Sequence, residues 1–430
     1  MGGTLEEILD RVRQHPRLVV VDDYELFVER SSSWVQAFSG GKPFFQEKDS
    51  RLWLCLRLLH RKQPGRASMQ AATEESLNQL IDSAFDSAKF SSPDPWFRFP
   101  IWKAVKTTEP LLPKPLAMPP TVFSQVPQLD PLLKERYEIQ EREIRLVRKT
   151  EKNTLSDYGR KYFSRLSLPF KDHVELFDER AQSLPLVGQV SWAKALQLRA
   201  IEQRDSVPFH DFAYSKILIT PLAMVRLLKK IAPAFYGDRV QEGKSFLGIP
   251  RGEKLFSPVV TIIDDGTLQD GVFSSRFDDE GTLTQQTVLV CEGEYRANLL
   301  DTYSATRENR LSTGNFRKGW ADTFAGVAAS HFYLSPSATP LREMVSQMDR
   351  GFVVESWDYE GFDPREGRLA LVGRGWEVEG GSPLRPVYGK AISCRVIDLL
   401  RHVVSVGNDL TFHGAFASPS ILCEDLPLDI

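Results

Sequence analysis

Between Ser91 and Pro131, prolines stand at Pro93, Pro95, Pro100, Pro110, Pro113, Pro115, Pro119, Pro120, Pro127 and Pro131. Proline has no backbone N–H and a fixed φ, and it pushes the residue before it toward extended geometry. Neither a continuous helix nor a central strand can cross such a stretch. It is expected to be an extended connector, packed through Trp96, Phe97, Phe99 and Trp102 or, alternatively, offering a PxxP-type docking segment. A chain of 430 residues exceeds the size at which one core keeps growing, so a division here fits.

Residues 1–90 read as a small α+β domain. Thr4 caps a first helix that runs to about Gln14, and Arg17 to Arg30 has strand character around Leu18, Val19, Val20, Val21, Leu26 and Val28. Arg51 to Leu59 reads as a second strand with Trp53, Cys55 and Arg57 on one face. Glu74 to Lys89 repeats Leu77, Leu80, Ile81, Ala84, Phe85 and Ala88 at helical spacing. After the connector (91–131), residues 132–213 form a middle α+β region. Asp130 to about Val147 is expected there as a charged, solvated helix, with Glu138, Glu141, Arg142 and Arg145 alternating in sign around Leu133, Tyr137, Ile144 and Val147. Short strands and a helix from Ser191 to Gln203 follow. In residues 214–430, strands are expected at Lys216–Ile219, Pro258–Ile263, Thr284–Glu292 and Ala391–Arg395. Turns such as Asp265-Gly266, Glu280-Gly281 and Gly380-Gly381 separate them. The class is therefore α+β: an N-terminal α+β domain and a C-terminal domain dominated by antiparallel sheet with a few helices.

Charge and cysteine usage exclude some functions. Lys plus Arg number 54 against 57 Asp plus Glu, with no long run of one sign, so the basic stripe of a nucleic-acid binder is missing. Cys55, Cys291, Cys394 and Cys423 are scattered without CxxC spacing, which reads as buried thiols in a reducing compartment. The acidic start and the lack of a long apolar run point to a cytoplasmic protein without a membrane segment.

The turns also form an ordered series. Gly237-Asp238, Gly243-Lys244-Ser245, Thr261-Ile262-Ile263-Asp264-Asp265-Gly266, Phe277-Asp278-Asp279-Glu280-Gly281, Ser312-Thr313-Gly314-Asn315, Asp349-Arg350-Gly351 and Val406-Gly407-Asn408-Asp409-Leu410 succeed one another over half the chain. In that order they resemble the TldD/PmbA (TldE) family. The resemblance implies a zinc peptidase subunit, with a His-Glu-x-x-x-His helix and a distant Cys, paired with a metal-free subunit. Imidazoles and a thiolate hold the metal there, and the Glu takes a proton from bound water. In the present chain that helix falls on Thr220 to Pro233, with Thr220 as cap and Pro221 at the first position. Leu228 and Lys229 stand at the His-Glu positions, Pro233 at the second His and Phe416 at the Cys. No His is followed by Glu, and no HxxxH pair exists.

The resemblance thus implies the metal-free TldE/PmbA-like branch, with no catalytic residue, metal or cofactor of its own. It implies a heterodimer with a TldD-like zinc peptidase subunit, a homodimer when alone, and unfolded peptides, including leader segments, as substrates. Asp264, Asp265, Ser312, Thr313, Gly314, Asn315 and Asn408 are the candidate substrate-binding or turn-forming positions, and Asp278-Asp279-Glu280 is expected to stabilise a turn. Two other readings stay open: a stand-alone divergent hydrolase or peptidase with an unrecognised site, and a DNA gyrase-modulating binding protein.

Overall fold

The protein is described by a computed structural model covering residues 5–70, 73–102, 131–151, 153–169, 175–182, 189–209, 215–318 and 325–427. Six strands, β1 (Asp23–Ser39), β2 (Lys42–His60), β3 (Gln63–Gln70), β4 (Lys134–Arg148), β5 (Leu155–Pro169) and β6 (Glu175–Gln182), form one antiparallel sheet in the order β3-β2-β1-β4-β5-β6. The strands before and after the proline-rich stretch therefore share a single sheet.

Alternation along β1 assigns each face its partner. Leu26 and Val28 lie opposite Leu56 and Leu54 of β2, and all four are fully buried. They pack against α1 (Leu5–Gln14), α2 (Pro16–Val19) and α3 (Glu74–Lys89) through Leu9, Leu18, Leu80, Ile81 and Ala84. Glu25, Phe27 and Glu29 point the other way, toward the C-terminal half. Phe27 joins Ile144, Leu146, Leu155, Trp102 and Phe277 in a second cluster. α3 starts as its sequence requires: Thr73 accepts from the Ser76 N–H at 3.1 Å and Ser76 Oγ accepts from the Thr73 N–H at 2.7 Å.

Three expectations change. The charged segment expected as a helix is strand β4, because Glu135, Tyr137 and Ile139 bury every second residue on one side and Ile144 and Leu146 do so on the other. Its charges are paired across strands: Arg160 of β5 with Glu141, and Arg142 with Glu29 of β1. The apolar run at Leu18 to Val21 is a short helix and its exit, with Pro16 pre-organising the first turn, and the strand begins at Asp23. The middle strands are long and extend the N-terminal sheet. Thr4 and residues 103–130 of the connector lie outside the described residues; of its aromatics, Phe99 and Trp102 are buried and Trp96 is exposed.

The C-terminal half packs two mostly antiparallel sheets around one core. One takes Val207–Pro208, Lys216–Ile219, Arg350–Asp363, Arg368–Glu379, Ser382–Arg395, Val403–Val406 and Ile421–Glu424. The other takes Ile262–Asp265, Gln286–Cys291, Glu294–Tyr295, Phe332–Leu334, Thr411–His413 and Phe416–Ser418. Parallel pairings occur at Lys216–Ile219 with Arg350–Asp363, at Phe332–Leu334 with Phe416–Ser418, and at Val207–Pro208 with Ser382–Arg395. The helix Pro221–Ile231 packs against strands of both sheets, and Leu227, Leu228 and Ile231 enter their shared core with Ile262, Phe332 and Phe352. Among the described residues no helix is long and apolar enough to cross a membrane.

Candidate functional site

The helix Pro221–Ile231 starts with Pro221 in its first turn, and Thr220 holds the cap position without a side-chain bond. Leu228 is fully buried, Lys229 points to solvent, and Pro233 lies in the 3-10 turn Ala232–Phe235 that ends the helix. Phe416 is half-buried on the adjoining strand, its ring 6.1 Å from that of Phe332, and it packs on the core that holds Leu228. The fold therefore brings Leu228 and Phe416 into one hydrocarbon cluster. No ligand set remains there, and among the described residues no group of three His, Cys, Asp or Glu is placed to hold a metal. These residues do not fit zinc.

The remaining sequence candidates fall into two places. Asp264, in the strand Ile262–Asp265, accepts from Asn315 Nδ2 at 2.7 Å and from the Ser330 N–H at 2.8 Å. Burial pushes its carboxyl up to about 6, against the pull of those donors. Asp265 accepts from the Thr267 N–H and hydroxyl, each at 2.7 Å, and from Gln286 Nε2 at 3.0 Å. Ser312 Oγ donates to the Leu300 carbonyl at 2.9 Å and accepts from the Gly314 N–H at 3.2 Å. Thr313 Oγ1 accepts from the Leu300 N–H and donates to Asn315 Oδ1, both at 2.7 Å. At Gly314, φ is +73° and a Cβ would stand 2.4 Å from the Leu283 carbonyl, so only glycine fits the turn. Asp264 and Ser312 to Asn315 thus form one buried polar network. Asn408 lies apart, exposed, with its N–H donating to the Thr339 carbonyl at 2.9 Å.

Asp278-Asp279-Glu280 is both a turn and a joint. Asp278 accepts from the N–H groups of Glu280, Thr282 and Phe316 at 2.9–3.0 Å. Burial and the nearby Glu280 carboxylate raise its carboxyl well above the usual range. Gly281 closes the turn at φ +83° against the Trp102 indole, which donates to the Glu280 carbonyl at 3.0 Å. From the N-terminal sheet, Arg57 of β2 grips Glu25 of β1 at 2.9–3.0 Å and reaches Glu280 at 2.6 Å. Arg142 of β4 bonds Glu29 at 2.7 Å and both oxygens of Asp279 at 3.2 Å. Lys318 returns the contact, donating to Glu25 at 2.5 Å. Burial alone would raise Glu25; Arg57 and Lys318 outweigh it and hold the carboxyl below its ordinary value.

Beside this joint, the same face of the sheet and the loop from Gly266 to Gln285 enclose a cleft of about 940 Å³, of the size that holds small ligands or a peptide segment. Ser31 and Ser33 of β1, Gln140 and Arg142 of β4, and Asp157, Gly159 and Lys161 of β5 share this wall, cross-strand partners facing the same way. Val272, Phe273, Leu283 and Arg317 line the opposite side. Lys161 is half-buried, its ammonium 4.1 Å from the centre of the Phe273 ring. Burial brings its pKa down to about 7, and Arg142 and Arg317 act in the same direction. Behind the loop, the His331 ring bonds the Asp265 carbonyl at 2.9 Å through Nδ1 and accepts from the Phe273 N–H at 3.1 Å through Nε2, and burial lowers its pKa. Sequence reading passed over Lys161, Phe273 and Arg317 because no spacing motif marks them. Arg142 belongs to the segment whose charges suggest a solvated helix face; period-two alternation in β4 is the signal that turns it inward.

Residues 213–428 match the family described as the PmbA/TldA metallopeptidase C-terminal domain. An uncharacterized protein of Methanocaldococcus jannaschii is 30% identical over 207 residues, 48% of this chain and 49% of its own length. A metalloprotease PmbA homolog of Buchnera aphidicola is 28% identical over 240 residues, 56% of this chain and 50% of its own. The chain thus spans about half the length of the curated relatives it matches. Over the whole fold it is similar to the crystal structure of TldE from Thermococcus kodakarensis, with a TM-score of 0.82, 20% identity, and 98% and 99% of the two chains covered. A Thermotoga maritima structure, described as a candidate modulator of a DNA gyrase, has a TM-score of 0.83, 19% identity and the same coverage.

Proposed function

Because the chain belongs to the PmbA/TldD metallopeptidase family, we propose that it is a metal-free member that binds unfolded peptides and completes the substrate cleft of a TldD-like zinc peptidase subunit. The observation that carries this reading is the hydrocarbon at the positions that the resemblance gives to the metal ligands: Leu228 is buried in the core, half-buried Phe416 packs against it, Lys229 points to solvent, and Pro233 ends the helix. Neither leucine nor phenylalanine can hold zinc, so hydrolysis by the family's chemistry falls to a partner. The cleft between the N-terminal sheet and the Gly266–Gln285 loop supports peptide binding, since its wall mixes backbone-rich loop, aromatic surface and charge. A stable pairing of two such subunits would bury at least roughly 800 Å² on each.

The test measures zinc content and cleavage of an unstructured peptide by the purified chain, alone and mixed with a TldD-like subunit from the same source. No zinc and no cleavage alone, with a heteromeric peak and cleavage in the mixture, is the expected result. Cleavage by the lone, metal-stripped chain would overturn the reading in favour of a stand-alone hydrolase.

A further inference from the structure

The charges of the cleft wall are unevenly satisfied. Arg142 is held by Glu29 and Asp279, Arg160 by Glu141 and Lys318 by Glu25. Lys161 and Arg317 have no carboxylate partner among the described residues. Arg317 spends two of its five N–H groups, on the Phe316 carbonyl at 3.1 Å and on Ser330 Oγ at 3.0 Å. Lys161 makes no hydrogen bond there and rests on the Phe273 ring. Carboxylates reach both cations only through space, Asp279 and Glu29 acting on Lys161 and Asp264, Asp278 and Asp279 on Arg317, so each cation keeps donors free for a direct pairing with an arriving anion. The anion must also suit apolar surroundings, because Val272, Phe273, Leu283 and Ile144 line the same space. A polyphosphate or nucleic acid is a poor match to that wall. A carboxylate flanked by hydrocarbon is a good one.

We propose that this cleft is a carboxylate-binding site, in which Lys161 and Arg317 receive an acidic group of an extended peptide while Phe273 and Val272 pack against its hydrocarbon. The inference deepens the peptide-binding reading above and rests on it. Gly159 supplies the room: it stands opposite Arg142 on β4, and a Cβ built on it meets nothing within 4 Å. Lys161 also makes the site responsive to pH. The groups facing it are Glu29 of β1, Arg142 of β4, Asp157 of its own strand, Asp279 and Arg317 of the C-terminal half, and His331 behind the loop. The two guanidiniums and the burial favour the free amine, whereas a bound carboxylate favours the ammonium, so binding takes up a proton near and above pH 7. Affinity for a carboxylate should fall by up to about tenfold per pH unit above 7.

The experiment titrates the full chain, by calorimetry at pH 6.5 and pH 8.5, with an unstructured peptide bearing Glu residues and a free C-terminus. It is repeated with the C-terminal amide, with the Glu→Gln peptide, with a peptide carrying both changes, and with N-acetylglutamate alone. Expected are tighter binding at pH 6.5 and a loss of about tenfold or more when the responsible carboxylate is removed; the amide and Gln arms tell a chain terminus from an acidic side chain. Lys161→Met and Gly159→Phe should each weaken binding at pH 6.5, while Lys161→Arg should keep it and abolish the pH dependence. Thermal melting checks that each variant is folded. Equal binding of all four peptides would overturn the carboxylate site and leave the peptide reading standing. Binding of N-acetylglutamate without any peptide would uphold the site and overturn that reading, and silence from every ligand would overturn both.

Discussion

Two buried regions of this molecule handle the same physical problem in opposite ways. Around the helix Pro221–Ile231, Leu228 is buried among Ile262, Phe332 and Phe352 with Phe416 packed against them, and the cluster is built of hydrocarbon. At the joint between the halves, Glu25, Arg57, Glu280, Lys318, Arg142, Glu29 and Asp279 are nearly all withdrawn from water, and each charge is met by another. A hydrocarbon cluster loses only packing when one member is cut back, whereas an ionic joint leaves an uncompensated charge when any single member is removed.

The sharpest way to break this comparison is Arg57→Met, which leaves Glu25 and Glu280 buried without their shared cation. It should cost roughly 3–5 kcal/mol in denaturant unfolding, with little relief from salt because the pair is hardly screened. A loss below about 1 kcal/mol would place the joint among ordinary surface pairs. Next, Leu228→Ala should cost roughly 2–5 kcal/mol by leaving a cavity. Leu228→His should destabilise without recruiting zinc, which metal analysis of the purified variant checks.

The third test is a pH series on Asp264. Its carboxyl lies near 6 in the folded protein, above its unfolded value, so the neutral form is favoured. The stability this confers is complete below about pH 4 and is lost as pH rises through about 6, a change of roughly 2–3 kcal/mol. Unfolding free energies of Asp264→Asn should lack that slope. A parallel profile for the two proteins would mean that Asp264 stays ionised throughout. Smallest of all, Asn408→Ala should shift stability by less than about 0.5 kcal/mol, since its exposed side chain belongs to neither buried region.

Legibility of the chain followed the same division. The apolar periodicity of α3, the proline at the start of the helix Pro221–Ile231 and the turns at Gly281 and Gly314 each carry a local physical signal, and each is where the sequence indicates. The start and the end of that helix were legible for the same reason, since Pro221 and Pro233 act on their own local backbone. β4 was not: Tyr137, Ile144 and Val147 suit a helical stripe as well as they suit a strand, and only pairing with β1 and β5 decides. The ionic joint and the cleft escaped because they are assembled across long separations, Lys318 to Glu25 and Arg142 to Asp279 among them. No window of sequence contains both partners.

The pairing of β1 with β4 has a consequence for the order in which the chain is made. β1 is complete at Ser39, but its second neighbour ends only at Arg148, beyond the proline-rich stretch. At about 5–20 residues per second, a nascent chain waits several seconds with the β1–β2–β3 hairpins formed and one long edge of β1 open. That edge belongs to the strand carrying Phe27 and Val28, so the newborn protein passes through a stage in which it can pair with a neighbour on the same messenger.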